Sequence, residues 1–273
     1  MKGAQVNEKL WRICPTCRQR FTGKLFLQLA RERYRLSRLP SSAAAPVEPG
    51  EWERDKIQGE GTAKYSDDNV YTGSWTNGKI HGRGKLETAK FTYEGEWRDG
   101  KKHGRGLCSY HDNGDEYEGD WADDKWHGEG AWTLRGAGGA VHERYDGAME
   151  QGRMHGLGKY LYSDQSVYEG EWHDNRMHGQ GVFTFANGNK YVGDFVEGKR
   201  HGKGKFKSPT GDLYDGDYRE GKKTGYGSYK FSSGESYVGN IRDGKQHGQG
   251  RYVTEDGDVY AVSYTHLTLP TKA

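Results

Sequence analysis

One spacing dominates this sequence: a tyrosine followed two residues later by a glycine returns eight times at nearly constant intervals. These tyrosines are Tyr71, Tyr93, Tyr117, Tyr145, Tyr168, Tyr191, Tyr214 and Tyr237, and Tyr260 opens a ninth copy that lacks the glycine. From Tyr145 to Tyr260 every step is 23 residues, whereas the step before Tyr145 is longer and contains the run GAGG at 136–139, which predicts a loop insertion. A fixed period of this kind indicates tandem structural units rather than one globular core.

Within each copy the residues alternate with a period of two. In YEGEW at 168–172, Tyr168, Gly170 and Trp172 would project to one face of a strand while the two glutamates project to the other. Because glycine weakens an isolated strand, its place between two aromatic residues needs a packing reason. We expect it to leave a notch that an aromatic ring from the neighbouring copy fills.

Each copy also contains a tight-turn signal, such as Asn77-Gly78 or Asp99-Gly100, followed by a second segment that begins near His-Gly-x-Gly. Asn-Gly and Asp-Gly favour the primed turns of β-hairpins, since both central residues need positive φ. A lone hairpin is only marginally stable, so successive hairpins must pair edge to edge. The predicted fold is all-β: an elongated, single-layer, twisted antiparallel sheet of about eight tandem hairpins, or about sixteen strands.

The composition supports a thin structure held together by aromatic rings. Leu, Ile, Val and Phe make up only about 14% of the chain, which alone would suggest disorder. Against this, the sequence contains 8 Trp, 19 Tyr and 8 Phe, and disordered segments are typically poor in aromatic residues. Each ring can bury a large apolar area, so burial would come from rings rather than from aliphatic side chains.

Charge divides the chain into a basic leader with a linker (residues 1–50), the repeat array (51–260) and a tail (261–273). The leader carries ten Lys and Arg against three Asp and Glu, whereas the remainder is nearly balanced. The array therefore lacks the positive excess typical of nucleic-acid binding, and no nucleic-acid partner is expected. Three cysteines suit a reducing compartment, and no apolar run is long enough to span a membrane. These features predict a cytoplasmic protein.

Three features outside the repeats leave alternatives open. Phe21, Leu25, Leu29 and Leu36 stand near helical spacing, so the leader is an amphipathic helix on the sheet, a membrane-surface or partner-binding helix, or an unstructured segment. Cys14 and Cys17 are an incidental pair or half of a zinc site that dimerisation or a partner would complete. The tail resembles adapter sequence at the ends of translated cDNAs, which would make it non-native and the chain truncated.

The pattern Y-x-G-x-W/F-x-x-G-x-x-H-G-x-G, which recurs over about residues 52–260, resembles the MORN repeat (membrane occupation and recognition nexus). The departures are local and comprise Met149 and Ile241 at the aromatic position, Asp124 and Asn175 at the turn glycine, and Thr224 at the histidine. The resemblance implies roles without catalysis: tethering membranes, organising cytoskeletal or axonemal structures, or serving as the non-catalytic part of a lipid kinase.

The histidines and carboxylates are arranged as a ladder and not as a catalytic cluster. His81, His103, His127, His155, His178, His201 and His247 each occupy one copy, so neighbours stand about 10 Å apart, too far to share a metal ion. We expect each imidazole to fix the turn at the start of the second strand. Pairs of carboxylates at i and i+2, such as Glu169 and Glu171, would lie on a solvated face with no cleft to raise a pKa. No cofactor and no metal are expected.

Two sets of residues are candidates for binding partners. Cations that follow the turns would form a row for anionic lipid or acidic protein: Lys101, Lys102, Lys199, Arg200, Lys222 and Lys223. Aromatic residues that follow the glycines would dock a helix or peptide: Trp75, Trp97, Trp121, Trp172 and Phe195. The sequence predicts a non-enzymatic scaffold that binds protein partners in cytoskeletal, ciliary or membrane-adjacent assemblies. The alternatives are a phosphoinositide-binding membrane tether and the regulatory segment of a truncated phosphatidylinositol phosphate kinase.

Overall fold

A computed structural model describes residues 51–53, 56–65 and 67–264 of the 273-residue chain. Within these ranges the chain forms nineteen strands, each antiparallel to its neighbours in sequence. The predicted all-β single layer is confirmed, because appreciable contacts between elements occur only between consecutive strands. The strands outnumber the predicted sixteen because the partial first copy contributes β1 and β2 and the ninth copy contributes β19.

The odd-numbered strands are β1, which precedes the first copy, the eight strands that carry the Tyr-x-Gly motif, and β19, in which Val262 replaces the glycine. They are β1 (Glu51–Glu53), β3 (Val70–Thr76), β5 (Phe91–Arg98), β7 (Glu116–Ala122), β9 (Val141–Glu150), β11 (Val167–His173), β13 (Lys190–Val196), β15 (Leu213–Arg219), β17 (Ser236–Arg242) and β19 (Val259–Tyr264). The strands that carry Gly-x-Gly are the even-numbered ones. They are β2 (Lys56–Lys64), β4 (Lys79–Glu87), β6 (Lys101–Tyr110), β8 (Lys125–Arg135), β10 (Arg153–Leu161), β12 (Arg176–Thr184), β14 (Lys199–Lys207), β16 (Lys222–Lys230) and β18 (Lys245–Val253).

The GAGG run lies in the connection between β8 and β9, where a short 3-10 helix spans Ala137–Gly139. This confirms the predicted loop insertion. Strand β19 extends to Tyr264 and so includes the first residues of the tail. No helix in the part of the chain that the structure describes has the length and apolar character needed to cross a membrane. The leader, with the Cys14 and Cys17 pair, lies outside the described residues.

The two faces of the sheet differ in the way that the alternation predicts. In β13, Tyr191, Gly193 and Phe195 are buried, and the residues between them are exposed or half-buried. We call the side with these rings the aromatic face and the opposite side the charged face. The aromatic face is the core of the molecule, and one hydrophobic cluster runs along it from Ala63 to Val262.

Primed turns close the hairpins, as the sequence predicts. At Asp99-Gly100 the φ angles are 51° and 80°, and equivalent positive values recur at the other hairpin turns. The turn amide of Gly100 donates a hydrogen bond of 2.8 Å to the carbonyl oxygen of Ile80, and every later turn makes the same bond to the preceding repeat. Where the turn glycine is absent, a side chain adds a bond: Asn175 Oδ1 accepts from the backbone amide of Met154 at 2.8 Å. We refer to these turns, with the charged residues beside them, as the tips.

A β-bulge interrupts each hairpin at His-Gly-x-Gly. In the β5–β6 pair, Gly95 lies opposite Gly106 but Glu96 lies opposite His103, which leaves Gly104 and Arg105 as extra residues. Gly104 has a φ of 55°, a conformation that glycine adopts at little cost. The glycine of His-Gly therefore belongs to the bulge, whereas the next glycine belongs to the packing of the aromatic face.

Candidate partner-binding surfaces

A notch made of two glycines holds the tyrosine of the same repeat. Gly170 and Gly181 are cross-strand neighbours in β11 and β12, and a methyl group added to Gly181 would lie 2.5 Å from Cε2 and Oη of Tyr168. The Tyr168 hydroxyl donates a hydrogen bond of 2.8 Å to the carbonyl oxygen of Glu171, three residues later. The prediction of a notch is thus confirmed, but the prediction that a neighbouring copy fills it was wrong.

The same arrangement recurs in all eight complete repeats. The tyrosine hydroxyls donate to the carbonyl oxygens of Ser74, Glu96, Asp120, Ala148, Glu171, Asp194, Asp217 and Asn240. The ninth copy provides a natural comparison, since Val262 stands where the others have glycine. Its tyrosine, Tyr260, is 40% exposed, whereas the other eight are at most 1% exposed. Burial of the tyrosine therefore goes together with the glycine notch.

The candidate docking aromatic residues link each repeat to the one before it. The ring of Trp172 packs edge-on against Tyr168 of its own repeat at 5.1 Å and against Tyr145 of the preceding repeat at 5.6 Å. Its indole Nε1 donates a hydrogen bond of 3.1 Å to the carbonyl oxygen of Gly158. Trp75, Trp97, Trp121 and Phe195 occupy the same position, and all five are buried. These rings hold the array together, and their faces are not open to solvent.

The six candidate cations divide into two sets with different surroundings. Side chains alternate along a strand, so the first residue after the turn points away from the aromatic face and the second points towards it. Lys101, Lys199 and Lys222 are exposed at the tips. Lys102 and Lys223 are buried on the aromatic face, and Arg200 is half-buried there. This differs from the single row expected from the sequence, which treats adjacent cations as equivalent.

The buried cations lie over aromatic rings. Lys223 Nζ is 4.2 Å from the ring centre of Tyr214, 4.7 Å from that of Tyr229 and 5.0 Å from that of Phe206. Lys102 lies in the same way over Phe91, Tyr93 and Trp121. Contact with the negative face of a ring partly offsets the loss of hydration. Burial nevertheless lowers the pKa of Lys102 to about 8, and burial together with the nearby charge of Arg200 lowers the pKa of Lys223 to about 6.

We expect Lys223→Met to stabilise the array by about 1–3 kcal/mol at pH 6, because methionine fills a similar volume without a desolvated charge. The pKa of Lys223 falls from 10.5 to about 6 on folding, so the unfolded chain binds more protons between these values. The free energy of unfolding therefore rises with pH across this window, and the advantage of methionine shrinks towards pH 10.5. Urea unfolding at several pH values measures both effects.

Lys222→Met is the matched control, since Lys222 precedes Lys223 and its side chain is 66% exposed. Its effect should stay within about 0.5 kcal/mol at every pH. A Lys223→Met variant that is less stable than the parent at pH 6, or a gain that grows with pH, would contradict the assignment of a buried, destabilised ammonium group.

The exposed tip cations pair with acidic residues of the next repeat. Lys101 Nζ lies 3.5 Å from Asp123 Oδ1, and Lys222 Nζ lies 3.1 Å from Asp243 Oδ1. Lys199 pairs with Glu220 in the same way, and this contact lowers the pKa of Glu220. Exposed pairs of this kind contribute little stability. They do alternate the sign of charge along the tips, which reduces the attraction for an anionic membrane.

The carboxylate pairs on the charged face stabilise the β-bulges, a role that the sequence analysis did not predict. Glu171 Oε1 accepts a hydrogen bond of 2.8 Å from the backbone amide of Gln180, and Asp217 Oδ2 accepts one of 3.0 Å from that of Tyr226. Both amides follow the bulge glycine, so the second carboxylate of each pair closes the bulge. The earlier carboxylate faces a cation, as in the 3.1 Å pair of Asp215 and Lys205. The recurrence of an acid one residue after the notch glycine is the signal that could have identified this role.

The histidines line the charged face at the start of the even strands. The Nδ1 atoms of His103, His127, His178 and His201 are buried and make no hydrogen bond among the described residues. Within the same residues, no group of three or more His, Cys, Asp or Glu side chains is placed to hold a metal ion. These four imidazoles thus occupy equivalent places beside their bulges, whereas His247 is exposed.

Comparison with known proteins identifies the repeat. The MORN repeat profile matches nine segments, at residues 50–70, 71–90, 93–114, 117–134, 145–167, 168–190, 191–213, 214–236 and 237–259. The chain belongs to the MORN repeat family. The matched MORN segments account for most of the sequence, and the resemblance inferred from the repeated motif is confirmed. No curated protein sequence matches the chain significantly.

Two solved structures align with this MORN array at low sequence identity. The TCP10 domain of Danio rerio CPAP aligns at 12% identity over 81% of this chain and 99% of its own, with a TM-score of 0.35. The TCP domain of Drosophila melanogaster SAS-4, solved with a proline-rich motif of Ana2, aligns at 12% identity over 82% and 98%, with a TM-score of 0.31. At these TM-scores the likeness carries no functional conclusion.

Proposed function

We propose that this MORN-repeat protein is a non-enzymatic scaffold that binds protein partners through a helix or extended peptide laid along its aromatic face. The observation that supports this is a continuous row of apolar side chains on the even strands. The row, which we call the apolar strip, consists of Ala63, Leu86, Cys108, Trp132, Tyr160, Phe183, Phe206, Tyr229 and Tyr252. Each member stands directly opposite one of the eight tyrosines that fill a glycine notch, as Phe183 does opposite Tyr168 and Tyr252 opposite Tyr237.

The strip suits a helix or an extended peptide because its side chains form a single row across the strands. The described strands all lie in one layer, so none of them can pack on top of the strip. A helix or peptide running across the strands would meet the strip at its partly buried end, at Tyr229 and Tyr252, and would add the second layer that sheets normally require. The charged groups of the other face already bind one another or the bulge amides, which favours a structural role for them over catalysis.

The tips are a weaker candidate for binding. Lys101, Lys199 and Lys222 are each neutralised by an acidic residue of the next repeat, so attraction to anionic lipid would have to overcome that pairing. We place the scaffold in the cytoplasm, at cytoskeletal, ciliary or membrane-adjacent assemblies, because membership of the MORN family makes such roles reasonable.

Two matched double variants test the surface. Tyr229→Ser with Tyr252→Ser removes apolar side chains from the partly buried end of the strip, and Val192→Ser with Val238→Ser removes exposed ones from the charged face. We expect the first pair to lower the recovery of proximity-labelled partners at least fivefold, and the second to leave it unchanged. Circular dichroism verifies that both remain folded. Recovery that depends instead on the charged face, or on a Lys101→Glu, Lys199→Glu and Lys222→Glu variant, would refute the proposal.

A further inference from the structure

One histidine on the charged face lies outside the ladder and fills a gap in it. His173 is the last residue of β11, a position that Ala122 occupies in β7. Its ring centre is 5.0 Å from that of His155 in β10 and 5.5 Å from that of His178 in β12. Ladder histidines of successive repeats are about 10 Å apart, too far to share a metal ion. His173 halves that distance between the fourth repeat (β9 and β10) and the fifth (β11 and β12).

The distance between His155 and His173 suits two imidazoles that share one metal ion. A zinc ion lies about 2.0–2.1 Å from a ligating imidazole nitrogen, and therefore about 3.2 Å from the ring centre. For ligand angles between about 90° and 109°, two such ring centres stand about 4.5–5.2 Å apart. The 5.0 Å pair falls within this range, whereas the 5.5 Å pair of His173 and His178 exceeds it. The rings of the closer pair are inclined at 54°, so they are not stacked on each other.

The two nitrogens of His155 have different surroundings. Its Nδ1 is buried, makes no hydrogen bond among the described residues and lies 3.5 Å from Glu150 Oε2. A carboxylate beside the second ring nitrogen is a usual feature of histidines that bind metal ions, because it orients the ring. Nε2 is then the nitrogen that can meet an ion from solvent. His173 is exposed, so an ion can reach the pair directly.

The charges around the pair favour a cation. The two arginines next to it are neutralised, since Arg153 lies 3.0 Å from Asp174 and Arg176 pairs with Glu197. The hydrogen bond from Arg153 is the largest cause of the lowered pKa of Asp174, and the charges of His173 and His155 lower it further. This carboxylate is therefore close to both imidazoles. A positive ion between them would be attracted rather than repelled by it.

We propose that His155 and His173 together bind one late first-row transition-metal ion, such as Cu²⁺, Ni²⁺ or Zn²⁺. Imidazole suits these ions, whereas Ca²⁺ and Mg²⁺ require oxygen ligands, and Cu²⁺ is bound most tightly. Two side chains and water form the site, which is therefore smaller than the three-ligand clusters absent from the described residues. His155 belongs to the fourth repeat and His173 to the fifth, so the ion clamps two adjacent repeats and stabilises the folded joint.

Binding of Cu²⁺ to the full chain tests the pair, with Cys14→Ser and Cys17→Ser introduced to remove thiol ligands. We expect His155→Ala and His173→Ala each to weaken binding at least tenfold, because one imidazole alone holds the ion poorly. Alanine is tolerated at the second position, as Ala122 shows in β7. Pulsed electron paramagnetic resonance should detect two imidazoles on the bound Cu²⁺ in the parent and one in each variant.

Two other histidines provide matched controls. His201→Ala removes a ladder histidine of the sixth repeat and should change the affinity less than twofold. His178→Ala removes the more distant neighbour of His173 and should change it less than threefold. With Zn²⁺ bound, hydrogen exchange of β10 and β11 should slow at least threefold, while that of β16 and β17 stays unchanged.

The same affinity in the parent and in both pair variants would mean an adventitious ion only and would overturn the proposal. A single imidazole on Cu²⁺ in the parent would also overturn it. A loss of binding in His178→Ala without one in His155→Ala would show that the pair is wrongly assigned. None of these measurements involves a protein partner, so the metal site and the proposed function can fail separately.

Discussion

Replacing Trp172 with alanine is expected to lower the free energy of unfolding by about 4 kcal/mol. The substitution removes a buried indole that packs edge-on against Tyr168 and Tyr145, and it also removes the hydrogen bond to the carbonyl oxygen of Gly158. Because this side chain joins two repeats, the loss affects the interface as well as the hairpin. Chemical denaturation followed by circular dichroism measures the change.

Trp172→Phe is the matched control, since Phe195 and Tyr218 occupy the same position in later repeats and make the same edge-on contacts. It should cost no more than about 1.5 kcal/mol. Equal losses for the two variants would show that the ring packing matters less than the hydrogen bond. Any loss of partner binding in Trp172→Ala would reflect weakened packing, because the indole is not exposed for docking.

Gly181→Ala is expected to cost about 3 kcal/mol, a large effect for the addition of one methyl group. The methyl carbon would lie 2.5 Å from the ring and the hydroxyl oxygen of Tyr168, so the ring must leave the notch and lose its hydrogen bond to Glu171. The cost is steric, since the φ angle of Gly181 is not in the left-handed region. Urea unfolding of the variant measures it.

Gly221→Ala separates this effect from backbone strain. Gly221 has a φ of +83° with no atom within 4 Å of its missing Cβ, and its replacement should cost about 1 kcal/mol because a Cβ is strained in the left-handed region. Tyr168→Ala together with Gly181→Ala should cost clearly less than the sum of the two single changes, because the clash disappears with the ring. Additive effects would mean that the tyrosine does not occupy the notch.

Periodicity was enough to predict the fold. The alternation in YVGDF places Tyr191 and Phe195 on one face, and the turn at Glu197-Gly198 needs two positive φ angles, which the structure shows as 51° and 78°. These features depend on residues close together in sequence, where strand alternation and turn chemistry act directly. Repetition added the long-range pairing, since equal units can only meet in one register.

The surfaces were harder to predict because they depend on the direction of single side chains. Lys222 and Lys223 are adjacent and chemically identical, yet one is exposed at a tip and the other is buried over three rings. The recurring acid after the notch glycine marks Glu171 in the sequence, but its role in closing the bulge depends on a register shift between β11 and β12 that strand alternation alone does not predict. The filling of the notch by Tyr168 likewise depends on the direction of one side chain, which lies against Gly181 of the paired strand.

Each turn donates a backbone hydrogen bond to the preceding repeat. The length of an array built in this way changes in steps of one whole repeat. Every repeat offers the same backbone carbonyl to the turn amide of the next repeat. Repeats such as residues 191–213 and 214–236 are therefore interchangeable units. Loss of one such unit would shorten the sheet by two strands, about 10 Å, without exposing a new kind of interface. An array of this type can therefore gain or lose whole repeats in evolution, while the spacing between the remaining repeats stays the same.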